Sequence, residues 1–153
     1  LGVSTTYRIG IAFLILIVIP SVIFSHQIVD VMFTSKYKES APVLAVLMVS
    51  FHMGFLVQIL GYTLTSAGFP GRSLIENAIR VASTLLASVI LIPISGQLGA
   101  AHAHLISNYI AFPVSIVLLT WSNIKVPVMS CAKQTAFLLT IVASYWWLFK
   151  KYF

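Results

Sequence analysis

Glu76 and Arg80 stand four positions apart, acid before base, in a stretch otherwise rich in leucine, isoleucine and valine. On a helix that order is the favourable one for a side-chain ion pair. At 100° per residue Glu76, Arg80, Ser83 and Ala87 fall on one narrow stripe. Arg80 lies seven residues after Ser73, hence about 10 Å along the helix, and Asn77 is adjacent to Glu76. A charge costs a few kcal/mol at a bilayer centre unless it faces protein or water. Two readings follow: the stripe lines an aqueous cavity, or Arg80 snorkels to the headgroups while Glu76 pairs with it.

A second polar stripe runs through Ala100, His104, Asn108, Ala111 and Ser115. Small residues with an occasional Asn or Ser suit a cavity wall, and they equally suit close contact between membrane helices. His102 is two positions from His104 and points nearly the opposite way, which argues against a shared metal. His52 falls about ten residues into another apolar block. It is a candidate for ion coupling through its proton, or a neutral histidine bonded between helices. His26 and Asp30 form an i, i+4 pair near the end of the first block. An interfacial salt bridge or helix cap fits them, with Asp30 the second ion-coupling candidate.

No Cys/His cluster has zinc-ligand spacing, and the single cysteine, Cys131, has no partner for an internal disulfide. No metal and no cofactor are expected. Ser, His and Asp all occur, but without a nucleophile elbow, a phosphate-cradling loop or paired carboxylates, so the chain is not read as an enzyme.

The elements that must position these residues are long and apolar. Hydrophobic residues make up 59% of the 153-residue chain and charged residues 8%, against about 25% charged in soluble proteins. Its mean hydropathy is +1.02. Membrane lipid is thus the expected surround. Nucleic acid is excluded as a partner, because the nine Lys and Arg behind the net charge of +6 are scattered over hinges and one tail. Blocks of about 20 apolar residues suffice to cross a hydrocarbon core about 30 Å thick. Five occur, over residues 9–33, 43–66, 74–92, 100–121 and 131–149. Backbone polar groups in lipid must bond within their own segment, so these are helices. The fold class is an all-α, polytopic membrane protein with about five transmembrane helices in a single region over 1–153.

Pro20 predicts a kink in the first span. The run Ala67, Gly68, Phe69, Pro70, Gly71, Arg72 predicts a tight surface turn, and Pro93, Gly96 and Gly99 a very short one. Tyr145, Trp146, Trp147, Lys150 and Lys151 form an aromatic and cationic interface anchor. The positive-inside count ties: Arg8, Arg72, Lys125 and Lys133 against Lys36, Lys38, Lys150 and Lys151. The first residues lack the order of a cleavable signal, and the opening Leu1 together with an odd span number predicts part of a longer protein.

Three tracts carry a resemblance. Tyr37, Ser40, Ala41, Pro42, Val43 and Leu44 precede a span ending Leu64, Thr65, Ser66, Ala67, Gly68. Asn77 then sits in a helix ending Leu91, Ile92, Pro93, followed by Gly96 and by Gly99, Ala100, Ala101. This order resembles the C-terminal half of O-antigen and capsule repeat-unit flippases, in the multidrug/oligosaccharidyl-lipid/polysaccharide exporter superfamily, over about residues 9–121. The resemblance implies part of the C-terminal lobe of a two-lobed, all-helical exporter, with four spans as helices nine to twelve and one more beyond. The N-terminal lobe would be a missing partner from the same protein, and the Gly68 to Arg72 turn would be cytoplasmic.

The implied function is movement of polyprenyl-diphosphate-linked oligosaccharide across the bacterial cytoplasmic (inner) membrane by alternating access, for O-antigen, capsule or exopolysaccharide assembly. The implied partners are that lipid-linked oligosaccharide, membrane lipids and glycan polymerase machinery. Within that expectation Arg80 suits a diphosphate or acidic sugar through charge-assisted hydrogen bonds, with Glu76 beside it. Asn77, His104 and Asn108 suit sugar hydroxyls. An ion gradient is the expected energy source, since no ATP-binding motif is present. The rival classes are an ion-coupled multidrug or small-molecule exporter of the same superfamily, favoured by an acidic and aromatic cavity, and a membrane fragment that does not transport. A membrane enzyme of glycan assembly would need a long extramembrane loop, and every hinge here is short.

Overall fold

The computed structural model describes residues 9–10, 12–33 and 35–124, and the described residues are helical throughout, joined by short turns. The expected span at 131–149 and its anchor lie outside the described residues.

The first apolar block is a broken helix. A π-helical turn over Leu14–Val18 leads into α1 (Ile19–Ile23) and then α2 (Ser25–Met32). The break falls at Phe24 (φ −99°, ψ 20°), not at Pro20. Pro20 follows the π-helical turn directly, inside one uninterrupted helical run over residues 12–23. A 3₁₀ turn over Ser35–Ser40 carries the chain into α3 (Ala41–Ser66).

α3 ends as its sequence dictates. Gly68 takes φ +88°, the Gly68 N–H donates to the Thr65 carbonyl, and the Phe69 N–H reaches back to the Leu64 carbonyl at 2.9 Å. That is the Schellman pattern, which satisfies the last carbonyls of a helix. Pro70 then opens α4 (Pro70–Trp121) in its first turn. α4 closes with a second Schellman turn, Asn123 taking the left-handed position (φ 56°) and the Ile124 N–H bonding the Leu119 carbonyl at 3.1 Å.

The 52 residues of α4 are two helices meeting at Gly96, whose φ 56° and ψ −128° are non-helical. A straight helix would hold Arg72 and Ser122 about 75 Å apart, yet the Arg72 guanidinium donates to the Ser122 hydroxyl. The chain therefore doubles back into arms over 70–95 and 97–121. At the closed end Gly99 lies so near the Leu91 carbonyl that any Cβ would strike it. Pro93 does not end the first arm, as the turn expected there implied. Its ring belongs to the last helical turn before Gly96.

α3 packs chiefly against α4 and, on another face, against α1 and α2. Val18 and Val22 from the broken helix, Val49, Met53, Leu56 and Leu60 from α3, and Leu105, Phe112 and Leu119 from the second arm make one buried cluster. Around it large apolar side chains stay exposed, among them Leu74, Leu85, Leu86, Val89, Ile90 and Ile94 of the first arm. Two helices, Tyr37–Ser66 and Pro70–Trp121, are long and apolar enough to cross a membrane. The second is the folded pair, each of whose arms measures about 38 Å.

Candidate functional site

The five cavity candidates gather in one seam between α3 and the two arms of α4. The face of α3 that meets the arms carries Ser50, Gly54 and Gly61, spaced four and seven so that all three align. Small residues there let side chains of the opposite helices come down onto the α3 backbone.

At one level of the seam sits a three-residue cluster. Asn108 Nδ2 donates to the Ser50 carbonyl at 3.0 Å and lies 3.2 Å from Ser50 Oγ. Ser50 Oγ is 2.6 Å from His104 Nδ1, which is also 3.3 Å from Asn108 Nδ2. The assignment that satisfies the set has Ser50 Oγ donating to Nδ1, so the neutral ring carries its proton on Nε2. The Phe51 ring stands edge-on to His104, with centroids 6.0 Å apart. Gly54 is where Asn108 fits: a Cβ there would lie 3.3 Å from its amide nitrogen.

At the next level the first arm contributes Ser73, Glu76, Asn77 and Arg80. Glu76 is only 2% exposed, and one carboxylate oxygen, Oε2, rests 2.9 Å from where a Gly61 Cβ would be. Arg80 Nη2 donates to Asn77 Oδ1 at 2.7 Å, Asn77 Nδ2 donates to the Ser73 carbonyl at 2.9 Å, and Arg80 Nε is 4.0 Å from Glu76 Oε1. The Arg80 side chain keeps 25% of its surface exposed.

Several groups in the seam have no protein hydrogen-bond partner among the described residues: Glu76 Oε1, Arg80 Nε and Asn108 Oδ1. Unmet buried polar atoms are costly, on the order of 1–3 kcal/mol each. Cation, carboxylate, amide and hydroxyl together offer donors and acceptors at close quarters, the mixed set that a polyol or a phosphorylated polyol takes.

All five cavity candidates, Glu76, Asn77, Arg80, His104 and Asn108, thus belong to one seam, with Glu76 and Asn108 buried at helix contacts. The two ion-coupling candidates stand elsewhere. His52 is fully buried on the opposite side of α3, and neither ring nitrogen has a protein partner among the described residues. Asp30 lies at the end of α2, where its carboxylate is 3.7 Å from Lys38 Nζ. His102 turns away from His104, its Nδ1 2.9 Å from the Leu98 carbonyl. Among the described residues no group of three His, Cys, Asp or Glu is placed to hold a metal.

Sequence reasoning passed over Ser50 and Gly61. Their alignment with Gly54 on a single α3 face was the available signal.

The described residues are all-helical, with two helices long and apolar enough for a bilayer and a polar seam between them. The chain matches no family model, no curated protein and no solved structure.

Proposed function

We propose that this chain is part of the C-terminal lobe of a lipid-linked oligosaccharide flippase. It contributes about five spans to a multi-pass protein of the bacterial cytoplasmic membrane. In this reading polyprenyl-diphosphate-linked repeat units pass between this lobe and an N-terminal one, for assembly of O-antigen, capsule or exopolysaccharide. The chain makes and breaks no covalent bonds. It offers a path.

The observation that carries the reading is the setting of Arg80. Asn77 Oδ1 accepts a hydrogen bond from its guanidinium, and the Glu76 carboxylate lies 4.0 Å from Arg80 Nε. Arg80 remains partly accessible, and a guanidinium binds diphosphate or carboxylate oxygens in bidentate fashion. The neighbouring Asn108 Oδ1 and His104 Nε2–H supply an acceptor and a donor suited to sugar hydroxyls.

The test follows lipid-linked repeat units in cells whose only full-length copy is wild type, deleted or Arg80→Ala, and scores their access to a periplasmic glycan-processing enzyme. Unprocessed precursor accumulates in the deletion. The same defect in a normally expressed Arg80→Ala protein places the arginine on the path. Normal processing in the deletion, with no redundant transporter found, overturns the reading in favour of a small-molecule exporter.

A further inference from the structure

Away from the seam, where the end of α2 meets the start of α3, the helices part around a groove of about 400 Å³. Val29 and Phe33 form one wall, Val43, Leu44 and Leu47 the other, and Tyr37 and Ser40 close the rim. The walls are almost wholly apolar, and the volume falls within the range of small-molecule clefts. The groove occupies the first turns of the span-length helix Tyr37–Ser66, at the depth where headgroups give way to acyl chains.

The rim has a charge pattern of its own. Lys38 and Asp30 are 3.7 Å apart with side chains 60% and 45% exposed, and Glu39 is exposed beside them. An open ion pair of that length leaves each charge able to take a second partner. Ser40 makes no capping bond to α3. Asp30, Lys38 and Glu39 are each next in sequence to a residue that lines the slot, and with the Tyr37 and Ser40 hydroxyls they complement an amphiphile with one apolar chain and both signs of charge in its head.

We infer that this groove holds one acyl chain of a zwitterionic phospholipid bearing a phosphoethanolamine headgroup, whose phosphate meets Lys38 and whose ammonium meets Asp30 or Glu39. Hydrocarbon gains little by moving from bilayer to groove, because lipid tails are as apolar as leucine. Shape and the charged rim therefore supply the selectivity. The inference rests on the membrane reading of the chain and is independent of what the seam transports.

The experiment places the full chain in vesicles of phosphatidylethanolamine and phosphatidylglycerol that contain a trace of either lipid with a photoreactive diazirine on its acyl chain, and maps adducts by peptide mass spectrometry. The ethanolamine probe labels residues 29–47 several-fold more than the exposed Leu85, Leu86 and Val89, and the glycerol probe does not. Leu44→Trp, which fills the groove, removes the label from 29–47 and leaves that at 85–89. Lys38→Glu erases the preference between probes. Where the tryptophan variant does not insert, excess unlabelled phosphatidylethanolamine must displace the wild-type label at 29–47 alone, and failure to displace it overturns the proposal. So does even labelling of both surfaces. A chain that alkaline carbonate strips from the vesicles fails the membrane reading, whereas one that is retained but evenly labelled fails the groove alone.

Discussion

Asn108 and Ser50, 58 positions apart in the chain, are joined through one amide: Asn108 Nδ2 lies 3.0 Å from the Ser50 carbonyl and 3.2 Å from its hydroxyl. The contact fixes the height of the second α4 arm against α3. Asn108→Ala is expected to lower stability by about 1 kcal/mol, the usual worth of a polar contact between membrane helices. Unfolding of wild type, Asn108→Ala, Ser50→Ala and the double variant measures it. Ser50→Ala keeps the carbonyl acceptor and removes only the hydroxyl. Strict additivity would therefore contradict the contact between Asn108 Nδ2 and Ser50 Oγ, and an unchanged stability in Asn108→Ala would contradict the bond to the carbonyl.

Gly61 is the seat of the Glu76 carboxylate, with 2.9 Å between Oε2 and a Cβ at that position. Gly61→Ala is expected to displace the carboxylate at a cost of about 1 kcal/mol, within the range for overpacked contacts. In a Glu76→Ala background the same substitution should cost nearly nothing. An equal cost in both backgrounds would mean that the two residues do not touch.

Breaking the Glu76 and Arg80 pair from one side leaves the other charge stranded. Glu76→Gln or Arg80→Met alone is expected to destabilise by about 3 kcal/mol, the lower end for buried pairs because Arg80 is partly exposed. The double change Glu76→Gln with Arg80→Met recovers most of that. Thermal unfolding of the three variants in one detergent decides it, and a double variant no better than the worse single one would refute the pairing.

His52 is buried with both ring nitrogens lacking a protein partner among the described residues. Unpaired polar groups cost roughly 1–3 kcal/mol by mutational measures. His52→Phe is therefore expected to raise thermal stability. A marked fall would show that the imidazole has a partner that stabilises this arrangement.

The closed end of the hairpin depends on two glycines. Gly96→Ala forces a side chain into φ 56° with ψ −128°, outside the left-handed helical well and open readily only to glycine, and Gly99→Ala drives a Cβ into the Leu91 carbonyl. Either change should slow disulfide formation between cysteines placed at Arg72 and Ser122, at the far end of the arms. Unchanged cross-linking would argue that the arms are held by α3 instead.

Much of this architecture was legible in the chain. The α3 block expected over 43–66 is helical over Ala41–Ser66, and Gly68 with Pro70 marked the end of one helix and the start of the next. The break at Gly96 falls inside the short turn expected over Pro93 to Gly99, whereas the one at Phe24 was not legible. Pro20 lies inside an uninterrupted helical run, directly after a π-helical turn, and the run breaks only four residues later. Pro93 is absorbed because the helix ends within the next turn. The seam was half legible. Helical periodicity aligned Glu76 with Arg80 and His104 with Asn108, but it carries no information about which residue of another helix faces them. Ser50 and Gly61 emerge only when α3 is set against both arms.

The reversal at Gly96 is made by one residue, and that leaves no slack between the arms. A longer connection would let either helix slide or tilt alone, whereas a one-residue elbow with Gly99 pressed on Leu91, and Arg72 tethered to Ser122 at the opposite end, binds them as a single stiff lever. Motion in this part of the molecule must then arise where that lever bears on α3, along the row of Ser50, Gly54 and Gly61, and a push at either tip is felt at the other.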